Sequence, residues 1–180
     1  MTEKWMHPHQ KNLLAIIREI VDDSDIEIRE INRGYALDIP VEYPCTCGDC
    51  PKGVEIRHQF VFVTYGRKTP GGRDIYQIFT ICAPETKDFY RSALMLNMNL
   101  PFGAFAVADV EFATELLSRD LQYMPAGTVP VTEVDERKYF VMVDTYCVDM
   151  VTVDQMRASI MTAARAGDRL EKLMVGEDLR

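Results

Sequence analysis

Three cysteines lie close together in the first third of the chain, and their spacing is typical of residues that can hold a metal ion. They are Cys45, Cys47 and Cys50, with Gly48 between them to let the backbone turn. Thiolate sulfur is the ligand that soft cations and zinc prefer, and three thiolates brought together by one loop need only a fourth ligand to close the site. The loop is therefore a candidate site for zinc or another metal.

Two residues on nearby predicted strands are candidates for the fourth ligand. These are His58, which follows the loop, and Cys82, which lies on the next strand of the hairpin. Asp49 and Cys147 are further donors of suitable chemistry. The alternative is a turn that carries reduced thiols and no metal, and the residues alone leave both interpretations open.

The same loop contains a C-x-x-C pair, Cys47 and Cys50, which raises thiol–disulfide chemistry. Such pairs usually place the first cysteine at a helix N-terminus, where the helix dipole lowers the pKa of its thiol. Here the residues 51–53 lead into a predicted strand, so this activation is missing. The chain also carries no G-x-S-x-G, P-loop or dinucleotide glycine pattern. We therefore predict a protein that is not an enzyme.

Composition restricts the classes of partner. The chain has 180 residues with a net charge of −8 and a pI near 4.9. An acidic protein is a poor match for the phosphate backbone of nucleic acid, so we expect no nucleic-acid partner. No apolar run approaches the ~20 residues of a membrane span, and the odd number of cysteines without a leader favours the reducing cytoplasm.

The periodicity of apolar residues then gives the elements that must position these side chains. A stripe from Leu13 to Val21 predicts an N-terminal helix, and alternation over 26–31, 35–41, 54–65 and 75–82 predicts four antiparallel strands. A middle helix follows Thr86, with Phe89, Ala93, Leu94 and Leu96 on its buried side. Strands are predicted over 102–109 and 139–148, and residues 111–135 between them resemble an insertion.

The last helix has the clearest pattern in the chain. Thr152 and Gln155 fit a capping box at its start. Apolar and small residues then recur every three or four positions and form a narrow seam that a second backbone could approach. The seam contains Met156, Ile160, Ala163, Leu170 and Met174.

Together the elements predict an α+β fold in one domain, 1–180. Helices and hairpins do not alternate, so we expect an antiparallel sheet of about five to seven strands, flanked by N-terminal, middle and C-terminal helices.

Two segments resemble a known family. The segment 93–107, ALMLNMNLPFGAFAV, resembles the central helix-to-strand region of the type III secretion chaperone-like superfamily. The segment 166–174, AGDRLEKLM, resembles the closing helix of its YbjN-type, sensory-transduction-regulator-like branch. The resemblance implies a helix-sandwiched antiparallel sheet, commonly homodimeric, that binds protein segments and has no catalytic residues. The cysteine loop is not part of the family pattern.

The positions of the methionines are relevant to the expectation that the protein forms a dimer and binds protein segments. Met95 and Met98 lie in the middle helix, and Met150, Met156, Met161 and Met174 lie at or near the last one. Flexible, polarizable methionine suits both irregular cores and adaptable binding surfaces. Core filling is one interpretation, and a dimer seam or peptide groove is the other.

The sequence thus predicts a non-enzymatic, cytoplasmic bacterial protein of chaperone- or regulator-like function that binds a protein segment or a second copy of itself. The seam of the last helix is the predicted partner and dimer surface. The alternative prediction is a zinc-binding regulatory module that uses Cys45, Cys47 and Cys50.

Overall fold

In the computed structural model, the chain folds into a six-stranded antiparallel sheet flanked by helices. The structure describes residues 8–22, 24–31, 33–44, 53–109 and 138–175. In chain order the elements are α1 (Pro8–Val21), β1 (Glu27–Ile31), β2 (Gly34–Pro44), β3 (Val54–Lys68), β4 (Asp74–Pro84), a 3-10 turn (Lys87–Phe89), α2 (Tyr90–Asn97), β5 (Ala104–Asp109), β6 (Lys138–Cys147) and α3 (Val153–Val175). The predicted α+β class and its three helix positions are confirmed.

The sheet has the strand order β1-β2-β3-β4-β6-β5. The first four strands form the meander that the alternating pattern predicts. The late strand β6 then pairs with β4 on one side and with β5 on the other. The predicted insertion at 111–135 and the loop with Cys45, Cys47 and Cys50 lie outside the described residues.

The main core lies between one face of the sheet and the helices. α1 buries the predicted stripe, with Leu13 and Ile17 fully inaccessible to solvent. Every second residue of the strands faces these helices, as expected for strands whose side chains alternate between faces. The largest buried side chains on this side include Leu37, Ile78 and Met142.

A smaller apolar cluster occupies the opposite face of the sheet. Phe62 and Phe79 stack there with their ring centroids 5.1 Å apart, next to Ile31 and Ala36. Since Phe62 pairs directly with Phe79 across β3 and β4, the two rings are cross-strand neighbours. The sheet is therefore apolar on both faces at its centre.

One glycine allows the backbone of α3 to lie close to the sheet. The position where Gly167 would carry a Cβ lies 2.6 Å from Cγ2 of Thr80 on β4. A side chain there would overlap Thr80, which is itself fully buried. Gly167 lies between Ala163 and Leu170 of the predicted seam, and its small size allows α3 to approach the protein's own sheet.

Candidate functional site

The last helix uses its predicted seam inside the protein. Met156, Ile160 and Leu170 have no exposed surface, and Ala163 retains 1%. Met174 is half-buried and packs against the same core. The capping box is confirmed, since the Thr152 N–H donates to Oε1 of Gln155 at 3.0 Å and the Gln155 N–H donates to Oγ1 of Thr152 at 3.2 Å.

The residues that the sequence predicts as a partner and dimer surface are therefore part of the core of the single chain. In the single chain it is covered by the strands below it, and a partner would have to displace the sheet to reach it. The sequence pattern identifies an apolar stripe but carries no information on whether that stripe meets the same chain or another one.

Four exposed large apolar side chains lie instead on α2 and on Met98, the residue that directly follows it. They keep 37% of their surface exposed at Tyr90, 65% at Leu94, 57% at Met95 and 85% at Met98. The opposite side of the helix is buried through Ala93, with Phe89 and Leu96 packed at the margin of the core. The prediction that Leu94 is buried is wrong, because it lies about 100° around the helix from Ala93.

These four residues form one face, which we call the α2 surface: Tyr90, Leu94, Met95 and Met98. Tyr90, Leu94 and Met98 are spaced by four, so they form a single ridge along the helix. Tyr90 anchors the ridge to the core, because its ring meets Phe140 edge-on with centroids 5.5 Å apart. Two exposed basic residues, Lys87 and Arg91, and the exposed Asp88 lie at its start.

Asn97, at the end of α2, holds the helix against the outer strand β5. The Phe105 N–H donates to Oδ1 of Asn97 at 2.6 Å, and Nδ2 of Asn97 donates to the Phe105 carbonyl oxygen at 3.2 Å. These backbone groups of Phe105 are thus satisfied by a side chain rather than by β6. Asn97 caps one position of a strand edge that would otherwise be open to pairing with another chain.

The methionine set divides between the two sequence interpretations. Met142 and Met156 have no exposed surface and fill the core, and Met161 and Met174 pack at its margin. Met95 and Met98 lie on the α2 surface, and Met150, with 65% exposed, lies in the turn before α3. Of the six methionines that the sequence singled out, core filling therefore explains Met156, Met161 and Met174, while Met95, Met98 and Met150 are exposed; Met142 is a further core methionine.

The structure distinguishes the two candidates for a fourth metal ligand. Cys82 is 5% exposed on the helix-covered face of the sheet, and burial raises the pKa of its thiol, so the thiolate that a metal needs is disfavoured. His58 is an exposed residue on the opposite face, beside Pro40 of β2. The two side chains lie on different faces of the sheet and do not meet.

His58 has the geometry of an oriented imidazole. Its Nδ1 lies 2.8 Å from Oδ1 of Asp38, and its side chain is 54% exposed while that of Asp38 is 16% exposed. A carboxylate on Nδ1 fixes the ring and leaves Nε2 as the nitrogen available to a ligand. Among the described ranges, no three His, Cys, Asp or Glu side chains group closely enough to hold a metal ion. The cysteine site stays a prediction.

A buried ion pair lies between the sheet and α3. Nε of Arg57 is 2.7 Å from Oδ1 of Asp168, and the two side chains are 10% and 2% exposed. Oδ2 of Asp168 is also buried. Burial, together with the neighbouring Asp168 carboxylate, raises the pKa of the Tyr43 hydroxyl. The Arg57–Asp168 pair thus holds α3 against the sheet, and we interpret it as a structural contact.

A second polar contact joins β6 to α3. The Ser159 hydroxyl donates to Oδ2 of Asp144 at 2.7 Å, and Ser159 itself is fully buried. Burial raises the pKa of the adjacent Tyr146 to about 12, and the charge of Asp144 adds to the effect. The bond therefore joins α3 to the sheet as a structural contact.

Comparison with models of known protein families, and with curated proteins, finds no match to this chain. No helix in the described ranges is both long enough and apolar enough to cross a membrane. The candidate site therefore rests on its own geometry, and the best candidate is the α2 surface.

Proposed function

We propose that the protein is a non-enzymatic protein-binding domain of the chaperone-like kind and that the α2 surface is its docking site. The single observation that carries the proposal is the exposure of Leu94, Met95 and Met98 together on one helix face. Contiguous exposed apolar patches on a globular protein usually mark an interaction site. Methionine adapts its shape to different partners at little cost.

The occupant that fits best is an amphipathic helix from another protein. A ridge of residues spaced by four packs into the groove of a second helix, as apolar helices do in peptide-binding proteins. Pairing of an extended segment along β5 fits less well, because Asn97 already occupies the backbone groups of Phe105. Lys87 and Arg91 add positive charge beside the ridge and favour acidic residues flanking the apolar face of the partner.

Peptide selection tests this proposal. Random peptides displayed on phage are selected on the wild-type protein, and the dissociation constants of the selected peptides are measured by fluorescence anisotropy. We expect apolar, helix-forming peptides, and Leu94→Lys should weaken their binding by more than about tenfold, since it removes a central contact and introduces a charge.

Leu173→Lys is the matched control. Leu173 is an exposed leucine on α3, 51% accessible, so the change of side chain is the same while the location differs. Equal loss of affinity in both variants, or none in Leu94→Lys, would contradict the α2 surface as the docking site. Peptides that bind as extended strands would contradict the helical occupant.

A homodimer is also proposed, but its interface would not be the seam of α3, because that seam is buried in the single chain. A second copy of this chain carries a net charge of −8, which opposes association of two copies at low ionic strength. Sedimentation velocity of the wild-type protein at rising concentration measures this directly. A dimer that Leu94→Lys dissociates would make a second copy the occupant of the α2 surface.

A zinc-binding regulatory module stays the second candidate, and His58 is the observation that favours it. Its ring is already oriented by Asp38 in the way that metal-ligating histidines are. Elemental analysis of protein purified without added metal should give one zinc per chain, lost in Cys47→Ser and reduced in His58→Ala. Less than stoichiometric metal in the wild-type protein would exclude this candidate. Loss of zinc in Cys82→Ser, with zinc retained in His58→Ala, would identify Cys82 rather than His58 as the fourth ligand.

A further inference from the structure

The methionines of α2 differ from those of the core in whether a dissolved oxidant can reach their sulfur atoms. Met98 is 85% exposed and Met95 is 57% exposed, whereas Met142 and Met156 have no exposed surface. Oxidation of a thioether depends on such access, because the oxidant must touch the sulfur. The four residues therefore provide a comparison within one molecule.

We propose that Met95 and Met98 form a reversible oxidation site that switches off the α2 surface. The oxidant is hydrogen peroxide. A sulfur lone pair attacks one peroxide oxygen, the O–O bond breaks, an S–O bond forms and water leaves, so that sulfur loses two electrons and the peroxide gains them. The consequence for docking rests on the function proposed above, but the site of modification does not.

The position of these residues makes the reaction affect binding rather than folding. A sulfoxide on a buried methionine would place a polar oxygen in the core, but the side chains of Met95 and Met98 face solvent and can carry the oxygen at little cost. On the α2 surface, oxidation of both residues makes two of its four apolar side chains polar. The folded protein therefore persists while its apolar face is lost.

The modification can be reversed. Methionine sulfoxide reductases remove the oxygen as water while two reduced thiols become a disulfide, which restores the thioether. Exposure of Met95 and Met98 gives such an enzyme the same access that it gives to peroxide. A buried sulfoxide would require the fold to open first.

Peroxide treatment of the full chain tests the proposal with two readouts. Peptide mass spectrometry should show one oxygen gained at Met95 and at Met98, and oxidation of Met142 and Met156 should be more than about tenfold slower because it requires an opening of the core. Retention on a phenyl-substituted chromatography matrix, which measures exposed apolar surface, should fall and return after treatment with the reductases. The thermal unfolding midpoint should remain unchanged.

The control is the double variant Met95→Leu/Met98→Leu. Leucine preserves apolar volume but has no sulfur to oxidise, so this variant should keep its retention in peroxide. It retains every other methionine, Met150 included, so a persisting loss of retention would assign the effect to another residue and overturn the proposal. Oxidation of Met98 no faster than that of Met156 would also overturn it.

The selected peptides separate this inference from the proposed function. If they bind, oxidation should abolish their binding to the wild-type protein and leave the double variant unaffected. If no peptide binds the reduced protein, the docking proposal fails, but the mass and retention readouts still decide the oxidation site. Binding that survives full oxidation of Met95 and Met98 would refute the switch alone.

Discussion

At the scale of single residues, the polar groups beneath α3 decide how that helix sits on the sheet. Arg57 and Asp168 form an ion pair that is almost completely withdrawn from water. Removing two charges from water costs several kcal/mol per ion, and only good geometry offsets this cost. The pair therefore contributes less to net stability than its short distance suggests, but the loss of one partner leaves the other charge buried and unpaired.

Asp168→Asn should accordingly destabilise the protein strongly. The asparagine keeps the shape of the side chain but removes the charge beside Arg57, and we expect a loss of about 3 kcal/mol in the free energy of unfolding, measured by urea denaturation. Asp149→Asn is the control, because it breaks the solvent-exposed pair with Arg73 and should have little effect. An equally small effect of Asp168→Asn would show that water reaches the pair.

The titration of Tyr146 gives a prediction about pH. Burial and the charge of Asp144 raise its pKa to about 12, above the ordinary value of 10.0. The folded protein thus favours the neutral hydroxyl, and the resulting stability is fully present below pH 10 and is lost as the pH rises toward 12. Carbon-13 NMR of labelled tyrosine, assigned with Tyr146→Phe, measures the pKa directly.

Asp144→Asn should lower this pKa. The variant removes the negative charge but leaves the burial of the ring, so the pKa should move part of the way back toward 10.0. An unchanged pKa in Asp144→Asn would mean that burial alone produces the shift. A Tyr146 pKa near 10.0 in the wild-type protein would contradict its burial against α3.

At the scale of elements, α3 and α2 show how the same kind of apolar pattern leads to different surfaces. α3 is 23 residues long and spans β2, β3, β4 and β6, so its stripe is covered along its length. α2 has eight residues and lies at the β5 end of the sheet, where it can bury only one side. Large apolar residues on both sides of such a short helix necessarily leave some of them exposed.

Two leucines on α3 make this distinction measurable. Leu170 is fully buried and Leu173 is 51% exposed, although they are three residues apart. Leu170→Ala should lower the free energy of unfolding by about 2–5 kcal/mol because it leaves a cavity, whereas Leu173→Ala should change it by less than about 0.5 kcal/mol. Comparable losses in urea denaturation would contradict the assignment of the seam to the core.

At the scale of the whole molecule, the two outer strands limit uncontrolled pairing in different ways. β1 is five residues long and carries Glu27, Arg29 and Glu30, and charged, short edges resist pairing with another sheet. β5 has one charged residue, Asp109 at its end, and relies on the Asn97 side chain at Phe105. Among the residues that the structure describes, the Asn97 amide is therefore a contact that protects this edge.

Asn97→Ala should increase self-association. It exposes the backbone groups of Phe105 at the edge of a strand whose one charged residue lies at its end, so the sedimentation coefficient should rise with concentration more steeply than in the wild-type protein. Asn99→Ala is the matched control, because Asn99 donates to the Met95 carbonyl at 3.3 Å, within its own helix end. Identical sedimentation of the two variants would show that Asn97 does not protect the edge.

Local patterns predicted most of the elements but not their arrangement. Alternation fixed the meander β1 to β4, and the Thr152–Gln155 cap marked the start of α3 within a residue. The pairing of β6 with β4 joins residues between 55 positions apart, as in Pro84 and Tyr139, and 72 positions apart, as in Ile75 and Cys147. Nothing in a local period encodes which edge a late strand takes.

The candidate site shows the same division. The sequence by itself determined the apolar stripes of α1 and α3, because helical periods are properties of neighbouring residues. Only the tertiary structure decided that the seam of α3 is buried while Leu94, Met95 and Met98 are exposed, and that His58 and Cys82 lie on opposite faces of the sheet. The physical reason is that burial depends on what packs against a surface, and here the covering elements come from distant parts of the chain.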